Sequence, residues 1–168
     1  KKILLNPLVV ENPINVQAHY EQTAPELWGQ AGHRIDAFVS GIGSGGTIQG
    51  VGSFLKEQNG DAVIVAVEPK NVSALLGHEP GLHQIQGIGD GFIPEILDVS
   101  LIDRIIEVTD DDAIATTRGL AATNSLLCGT SSGANVWAAR QIAKEHPEWV
   151  IATVLPDRAE RYFSTGLL

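Results

Sequence analysis

Short apolar runs alternate with longer amphipathic stretches along the chain, which is typical of βα units built around a parallel sheet. The predicted strands span residues 36–40, 62–67, 104–108, 126–128 and 150–155. The predicted helices span residues 46–58, 110 to about 123 and 131–145, with Thr109 as the N-cap of the second. This pattern predicts an α/β fold with a parallel sheet in a three-layer αβα arrangement.

Three further segments have weaker patterns. A helix is predicted from residue 14 to about 29, and a short terminal helix over 159–166. Residues 70–97 contain Gly, Pro and His with little periodicity, so we expect a long ordered loop with a functional role. We therefore divide the chain into a connecting helical segment, 1–30, and a large α/β domain, 31–168.

Composition excludes several classes of protein. The 168 residues are 43% hydrophobic and 18% charged, which is typical of a globular protein with a well-buried core. The net charge is −9, and no cluster of basic residues indicates a nucleic-acid partner. No apolar run reaches the roughly 20 residues that span a bilayer. The single cysteine and five scattered histidines predict neither a disulfide nor a metal site. We expect no membrane association and a cytoplasmic location.

A glycine-rich turn follows the first predicted strand. Gly41, Gly43 and Gly46 fit the G-x-G-x-x-G pattern, and Glu68 ends the next strand where a ribose-binding acid lies in dinucleotide-binding folds. Glycines with hydroxyl side chains at a helix N-terminus suit any phosphate. The candidate phosphate-binding residues are Gly43, Ser44, Gly45, Gly46 and Thr47.

A second motif, Gly129-Thr130-Ser131-Ser132-Gly133, fits the G-x-S-x-G pattern of a hydrolase nucleophile. That fold orders its triad as serine, acid, histidine. Here the one histidine after Ser131 is His146, which precedes both Asp157 and Glu160. The motif therefore does not predict a hydrolase, and Ser131 is expected to cap the helix that follows.

Several motifs in order resemble the C-terminal half of the cysteine synthases, the O-acetylserine sulfhydrylases among fold-type II pyridoxal-phosphate enzymes. The resemblance covers about residues 10–168. Its motifs are Gly43 to Thr47, Val65-Ala66-Val67-Glu68-Pro69, His83 to Pro94, Gly129 to Gly133 and Glu160 to Thr165.

The resemblance implies pyridoxal phosphate as the cofactor. Gly43, Ser44, Gly45, Gly46 and Thr47 would hold its phosphate, with Ser44 where threonine is usual. Ser131 would hydrogen-bond the ring nitrogen through a neutral hydroxyl, so that the ring need not be protonated. A loop containing Gly87, Ile88 and Gly89 would line the substrate side of the cofactor and close on the substrate. Glu68 then becomes a solvated or capping carboxylate.

The resemblance also implies what lies elsewhere. The Schiff-base lysine of the family belongs to its N-terminal half, and the five lysines of this chain lie in none of the motifs. We therefore expect no catalytic residue among these 168, and little activity from them alone. Asp157-Arg158-Ala159 departs from the serine-glycine run of the A-type enzymes and is closer to the B-type.

The expected reaction is the β-replacement of O-acetylserine with sulfide, which gives cysteine and acetate. The expected partners are this amino-acid substrate and sulfide, a second copy in a homodimer and, by family analogy, the C-terminal tail of serine acetyltransferase. A cystathionine β-synthase is the alternative within the family. A dinucleotide-binding domain of an oxidoreductase and a non-catalytic binding module are the alternatives outside it.

Overall fold

A computed structural model describes residues 10–79, 81–164 and 167. Its four strands form one parallel sheet in the order β3-β2-β1-β4. The strands are β1 Ala37–Gly41, β2 Val63–Pro69, β3 Arg104–Val108 and β4 Ile151–Thr153. The α-helices are α1 Pro13–Ala18, α2 Ala24–Gln30, α3 Gly46–Gln58, α4 Asp110–Asn124 and α5 Thr130–Glu145.

Helices cover both faces of the sheet, and the alternation of side chains along β1 shows how. Ala37 and Val39 point into the core beneath α4 and α5, whereas Phe38 points into the core beneath α2 and α3. All three side chains are fully buried. The predicted three-layer αβα fold is confirmed, and burial on both faces explains why the central strands β1 and β2 are mostly apolar.

The helix and strand predictions agree best where local signals are strong. Helix α3 and strand β3 have the predicted bounds. Thr109 is the N-cap of α4, where its hydroxyl oxygen accepts a hydrogen bond from the Asp112 N–H at 3.1 Å. Acidic residues in the first turn of that helix also suit its dipole.

Strand order reverses at β1, and this point locates the site. Helix α3 leads from β1 to β2 on one side, whereas β4 pairs with β1 on the other. In open parallel sheets, ligands bind at the carboxyl ends of the strands beside such a reversal. The glycine-rich turn leaves β1 at this edge.

The predicted strand at residues 126–128 is wrong. Cys128 makes only an isolated antiparallel bridge to Arg158, and the Leu126 N–H donates to the Leu120 carbonyl at the end of α4. Leu126 and Leu127 are exposed. The apolar triplet has the composition of a strand but no neighbouring strand to extend.

The first predicted helix is interrupted. A π-helix, His19–Thr23, separates α1 from α2. It packs so closely on α3 that a side chain at Gly50 would lie 2.8 Å from the Tyr20 nitrogen. The predicted terminal helix is a 3₁₀-helix over Ala159–Tyr162, and residues 165 and 166 lie outside the described residues. Residues 1–9 of the predicted connecting segment and Pro80 of the long loop also lie outside them.

Candidate functional site

The turn between β1 and α3 is built around backbone rather than side chains. Gly45 has φ +84°, a conformation that favours glycine, and an added Cβ at Gly43 would collide with the carbonyl oxygen of Gly87. The hydrogen bond from the Gln49 N–H to the Gly45 carbonyl begins the helix. The first N–H groups of α3 therefore lack a partner within the helix and suit an anion.

A cavity of about 120 Å³ opens over this turn. Its lining includes Gly43, Ser44, Gly45, Thr47, Ile88 and Asn135. The Ser44 hydroxyl oxygen accepts a hydrogen bond from Asn15 Nδ2 at 2.9 Å, so α1 orients one hydroxyl of the turn. Gly46 lies behind the cavity, where an added Cβ would collide with the Asn15 side chain.

His19 of the π-helix orients the other hydroxyl. Its Nε2 lies 3.1 Å from Thr47 Oγ1, and its Nδ1 lies 3.0 Å from Thr23 Oγ1. Burial lowers the pKa of His19, which favours the neutral ring. A neutral imidazole donates from one nitrogen and accepts at the other, so it bridges the two hydroxyls.

Asn135 closes the gap where β1 and β4 diverge, and sequence analysis missed it. Its Oδ1 accepts from the Gly41 N–H at 2.8 Å, and its Nδ2 donates to the Val154 carbonyl at 2.9 Å. The residue is buried in α5. An asparagine on the apolar face of a helix was the available signal.

Ser131 lies in the first turn of α5, beside a second cavity of about 260 Å³. Gly87 and Pro156 line both this cavity and the one over the glycine turn. The structure therefore brings Ser131 and the turn to neighbouring parts of one cleft. The prediction that Ser131 caps α5 is wrong, because Gly129 is the N-cap and Ser131 already lies within the helix.

The predicted substrate-side loop forms the wall between the two parts. Gly87 and Gly89 have φ +89° and +76°, and the Ile88 side chain packs over Gly41, where an added Cβ would lie 2.7 Å from it. The Gly89 N–H donates to the Ile42 carbonyl at 3.0 Å. His83 accepts from the Ile85 N–H at Nδ1, so its Nε2 carries the proton that bonds the Gly89 carbonyl.

Residues 2–157 match the model of a family described as pyridoxal-phosphate dependent enzymes. The chain belongs to this family. It is 49% identical over 157 residues to a cysteine synthase B of Campylobacter jejuni, covering 94% of this chain and 52% of that protein. It is 46% identical over 163 residues to a cysteine synthase of Staphylococcus aureus, covering 96% and 53%.

Solved structures of similar fold agree. A cysteine synthase of Entamoeba histolytica matches with a TM-score of 0.92 at 38% identity, over 95% of this chain and 48% of that one. An O-acetylserine dependent cystathionine β-synthase of Helicobacter pylori matches with a TM-score of 0.88 at 44% identity, over 96% and 53%. The resemblance to cysteine synthases is confirmed, and this chain spans about half the length of these relatives.

The residues of the cleft fit the cofactor of this pyridoxal-phosphate dependent family. A phosphate dianion requires N–H donors and hydroxyls without a neighbouring carboxylate, and the turn at Gly43 to Thr47 provides them. The pyridine ring requires one hydrogen-bonding group at its nitrogen, and the buried Ser131 lies along the same cleft. An added side chain at Gly43 would collide with the Gly87 carbonyl oxygen, and both residues line this part of the cleft.

The dinucleotide interpretation fails at Glu68. This carboxylate is buried and accepts hydrogen bonds from the Ser73 hydroxyl at 2.6 Å and from the Ala74 and Leu75 N–H groups at 3.2 Å. The sequence predicted either a solvated or a capping carboxylate. Glu68 caps the loop after β2 and is not solvated. Its oxygens are already engaged and do not face a ribose.

The hydrolase interpretation fails on distance. His146 ends α5 and stacks on Trp149 with ring centroids 3.7 Å apart. Fifteen residues of helix separate it from Ser131, roughly 22 Å at 1.5 Å per residue. Ser131 therefore has no histidine partner on that side.

The lysines among the described residues lie away from the cleft. Lys56 pairs with Asp103 at 2.9 Å, and Lys144 donates to Gln141. Among the described residues, no lysine lines either part of the cleft. Lys1 and Lys2 lie outside the described residues.

Two kinds of feature are absent from the described residues. No helix within residues 10–79, 81–164 and 167 is long and apolar enough to cross a membrane. The same residues contain no group of three or more histidine, cysteine or acidic side chains that could hold a metal ion.

Proposed function

We propose that the protein carrying this chain uses pyridoxal phosphate to replace the acetoxy group of O-acetylserine with sulfide, forming cysteine and acetate. One observation carries the proposal. In a chain of the pyridoxal-phosphate dependent family, the open N-terminus of α3 and the Ser131 side chain line adjoining parts of one cleft. The names of the similar proteins supply the substrate class.

The proposed phosphate ligands are the backbone N–H groups of residues 43–47 with the Ser44 and Thr47 hydroxyls. Asn15 and His19 support them by orienting those hydroxyls. Ser131 is the proposed partner of the ring nitrogen. When bound, the cofactor supplies an electron sink for the bonds at the substrate carbon next to the amino group. A neutral hydroxyl at the ring nitrogen keeps that sink modest, which suits elimination and replacement at the next carbon.

The proposed role of Gly87, Ile88 and Gly89 is to form the substrate side of the cleft. Positive φ at the two glycines lets the backbone approach a ligand closely. The hydrogen bonds of Gly89 to Ile42 and His83 hold one end of the loop against the sheet. Closure of this loop would exclude water from the reacting atoms.

We assign no catalytic residue to these 168 residues, and propose that the lysine base comes from polypeptide corresponding to the other half of the relatives. On this division, 31–168 form the large α/β domain and 1–30 connect it to the rest. We also propose that the protein is a cytoplasmic homodimer with transferase activity and that it is a B-type enzyme. Its proposed protein partner is the C-terminal tail of serine acetyltransferase. The Asp157-Arg158-Ala159 run and the B-type relative support the B-type assignment.

A cystathionine β-synthase reaction is the second candidate. The Helicobacter pylori structure is named as an O-acetylserine dependent cystathionine β-synthase and is 44% identical to this chain. Both reactions use the same activated serine and differ in the incoming thiol. The cleft described here would serve either.

The test is product formation by the complete gene product loaded with pyridoxal phosphate. O-acetylserine is supplied with sulfide in one assay and with homocysteine in the other. We expect cysteine from the first at a clearly higher rate, and a slower reaction with altered cofactor absorption for Ser131→Ala. Faster formation of cystathionine would support the second candidate. Tight binding of a nicotinamide dinucleotide without binding of pyridoxal phosphate would refute both.

A further inference from the structure

The first turn of α5 lacks a capping side chain of its own. Its N-cap is Gly129, so the N–H groups of the turn have no acceptor from a capping side chain. The acceptor comes instead from Asp157, 26 residues after Ser131 in the chain. Asp157 follows β4 and lies almost completely buried against the helix.

The Asp157 carboxylate is fully engaged by this turn and the residues around it. It accepts from the N–H groups of Ser131 at 3.2 Å and Ser132 at 3.0 Å, and from the Ser132 hydroxyl. On its other side it accepts from the Tyr162 hydroxyl at 2.6 Å. A buried carboxylate with four donors is held in one place.

The surroundings keep this arrangement tight. An added Cβ at Gly129 would collide with the Asp157 carboxylate and the Tyr162 ring, so this position has no room for a side chain. Tyr162 itself lies within 3.5 Å of the Thr130 hydroxyl, in the same helical turn. Asp157 and Tyr162 thus fix the start of α5 relative to the segment after β4.

The geometry points to Asp157 as a positioning residue for Ser131: by bonding the Ser131 N–H and the next residue, it holds the Ser131 hydroxyl toward the ring nitrogen of the cofactor. This inference rests on the proposed function. Asp157 acts through Ser131, and Tyr162 holds Asp157 in place. The proposed phosphate turn lies between β1 and α3, and the described hydrogen bonds of the Asp157 carboxylate all go to Ser131, Ser132 and Tyr162 instead.

If Asp157 has this role, its substitution should weaken the binding of a cofactor that has a ring nitrogen and not the binding of an analogue that lacks one. Asp157→Asn removes the negative charge that accepts hydrogen bonds from the Ser131 and Ser132 N–H groups. It also puts an amide NH₂ donor where one of the two carboxylate oxygens acts as an acceptor. Misplacing the Ser131 hydroxyl costs the hydrogen bond to the nitrogen. A single hydrogen bond corresponds to about threefold to tenfold in affinity. A ligand with the same phosphate and ring shape but no ring nitrogen should bind both forms equally.

The experiment measures dissociation constants in the cofactor-free complete gene product by fluorescence titration. Pyridoxal phosphate is compared with 1-deazapyridoxal phosphate, in which a C–H replaces the ring nitrogen. The variants are Asp157→Asn, Tyr162→Phe, Ser131→Ala and the double variant Asp157→Asn with Ser131→Ala. Asp111→Asn is the matched control, because Asp111 is an exposed acid in the first turn of α4.

We expect Asp157→Asn to weaken pyridoxal phosphate by about threefold to tenfold and the deaza analogue by less than about twofold. The double variant should bind pyridoxal phosphate no more weakly than Ser131→Ala, because both changes remove the same hydrogen bond. Tyr162→Phe should produce a smaller effect of the same kind. If Asp157→Asn fails to fold, Tyr162→Phe carries the test alone.

Three results would overturn the assignment. Equal weakening of both ligands would make Asp157 a structural residue only, and unchanged binding of both would give it no role. Additive losses in the double variant would mean that Asp157 contacts the cofactor independently of Ser131. Failure of the proposed function looks different, because the unmodified protein would then bind neither ligand better than it binds inorganic phosphate.

Discussion

Gly43 is a position where one added carbon atom should disrupt the proposed phosphate site, because the nearest atom is backbone. An added Cβ would meet the Gly87 carbonyl oxygen, so Gly43→Ala must push the turn away from the substrate-side loop. We expect affinity for pyridoxal phosphate to fall about tenfold or more, equivalent to about 1.4 kcal/mol. Fluorescence titration of the complete gene product measures this change.

Gly119→Ala is the control for that experiment. Gly119 lies in α4 with open space around the position of its Cβ, and alanine is the better helix former. We expect unchanged cofactor affinity and a stability gain of about 0.5–1 kcal/mol. Equal affinity in both alanine variants would contradict the close approach described at Gly43.

Asp157 gives a prediction about pH. Burial alone would raise the pKa of its carboxyl, but hydrogen bonds from the Ser132 and Tyr162 hydroxyls and from the first turn of α5 hold the pKa below its usual value. A carboxyl with a lowered folded pKa stabilises the protein above the pKa of an unfolded aspartate, about 3.9. That stabilisation is lost as the pH falls through the folded value.

The measurement is the free energy of unfolding from pH 7 to pH 3 for the unmodified protein and Asp157→Asn. We expect the variant to be less stable at neutral pH, and the difference to shrink as the pH falls below about 4. A difference that stays constant over this range would show that the loss comes from packing rather than from the charge.

The candidate site residues that the sequence predicts have a local signal. Three glycines and two hydroxyls within five residues predict the proposed phosphate turn without knowledge of the fold. Asp157 and Asn135 were missed as site residues because their partners are distant in sequence. Asp157 bonds residues about 25 positions earlier, and Asn135 bridges two strands that the sequence does not pair.

Strands β1 and β4 and helix α5 depend on one another through Asn135. Removing its side chain in Asn135→Ala leaves the Gly41 N–H and the Val154 carbonyl without their side-chain partner. A fully buried polar group left unpaired costs about 1–3 kcal/mol, and these two partly buried groups should together cost about that much. We expect a loss of stability in that range and faster hydrogen exchange at the Gly41 N–H, measured by chemical denaturation and by NMR.

Gln141→Ala is the comparison on the same helix. Its side-chain amide donates to the Trp137 carbonyl one turn earlier and joins no other element. We expect a loss of no more than about 0.5 kcal/mol and normal exchange at Gly41. Similar losses in the two variants would mean that Asn135 serves the helix rather than the junction of the strands.

Helices and strands were predicted well where the hydrophobic pattern and the capping residues agree. They were predicted poorly where tertiary contacts determine the local structure. Helix α3 begins on glycines and β3 contains three β-branched apolar residues, and both have the predicted bounds. Residues 126–128 are more apolar than β3, yet they form only one isolated bridge, from Cys128 to Arg158. The π-helix at His19–Thr23 follows from close packing on Gly50, which no local pattern reports.

The cleft as a whole is assembled from three distant segments at one edge of the sheet. The turn after β1 provides the proposed anion site, the loop around Gly87 provides the shared wall, and the start of α5 provides Ser131. The turn after β1 lies at this edge because the parallel strands all end there. The Gly87 loop and the start of α5 are held beside it by hydrogen bonds, from the Gly89 N–H to the Ile42 carbonyl and from the Ser131 and Ser132 N–H groups to Asp157. The order of the motifs along the sequence indicates the family. How close the motifs lie to one another in space could be seen only in the folded structure.

The most direct test of the account is a crystal structure of the complete gene product grown with pyridoxal phosphate. We predict that the cofactor phosphate lies within hydrogen-bonding distance of the backbone N–H groups of residues 43–47 and the Ser44 and Thr47 hydroxyls. We also predict that the ring nitrogen faces the Ser131 hydroxyl. A phosphate bound elsewhere, or a ring nitrogen that faces another residue, would contradict the site described here.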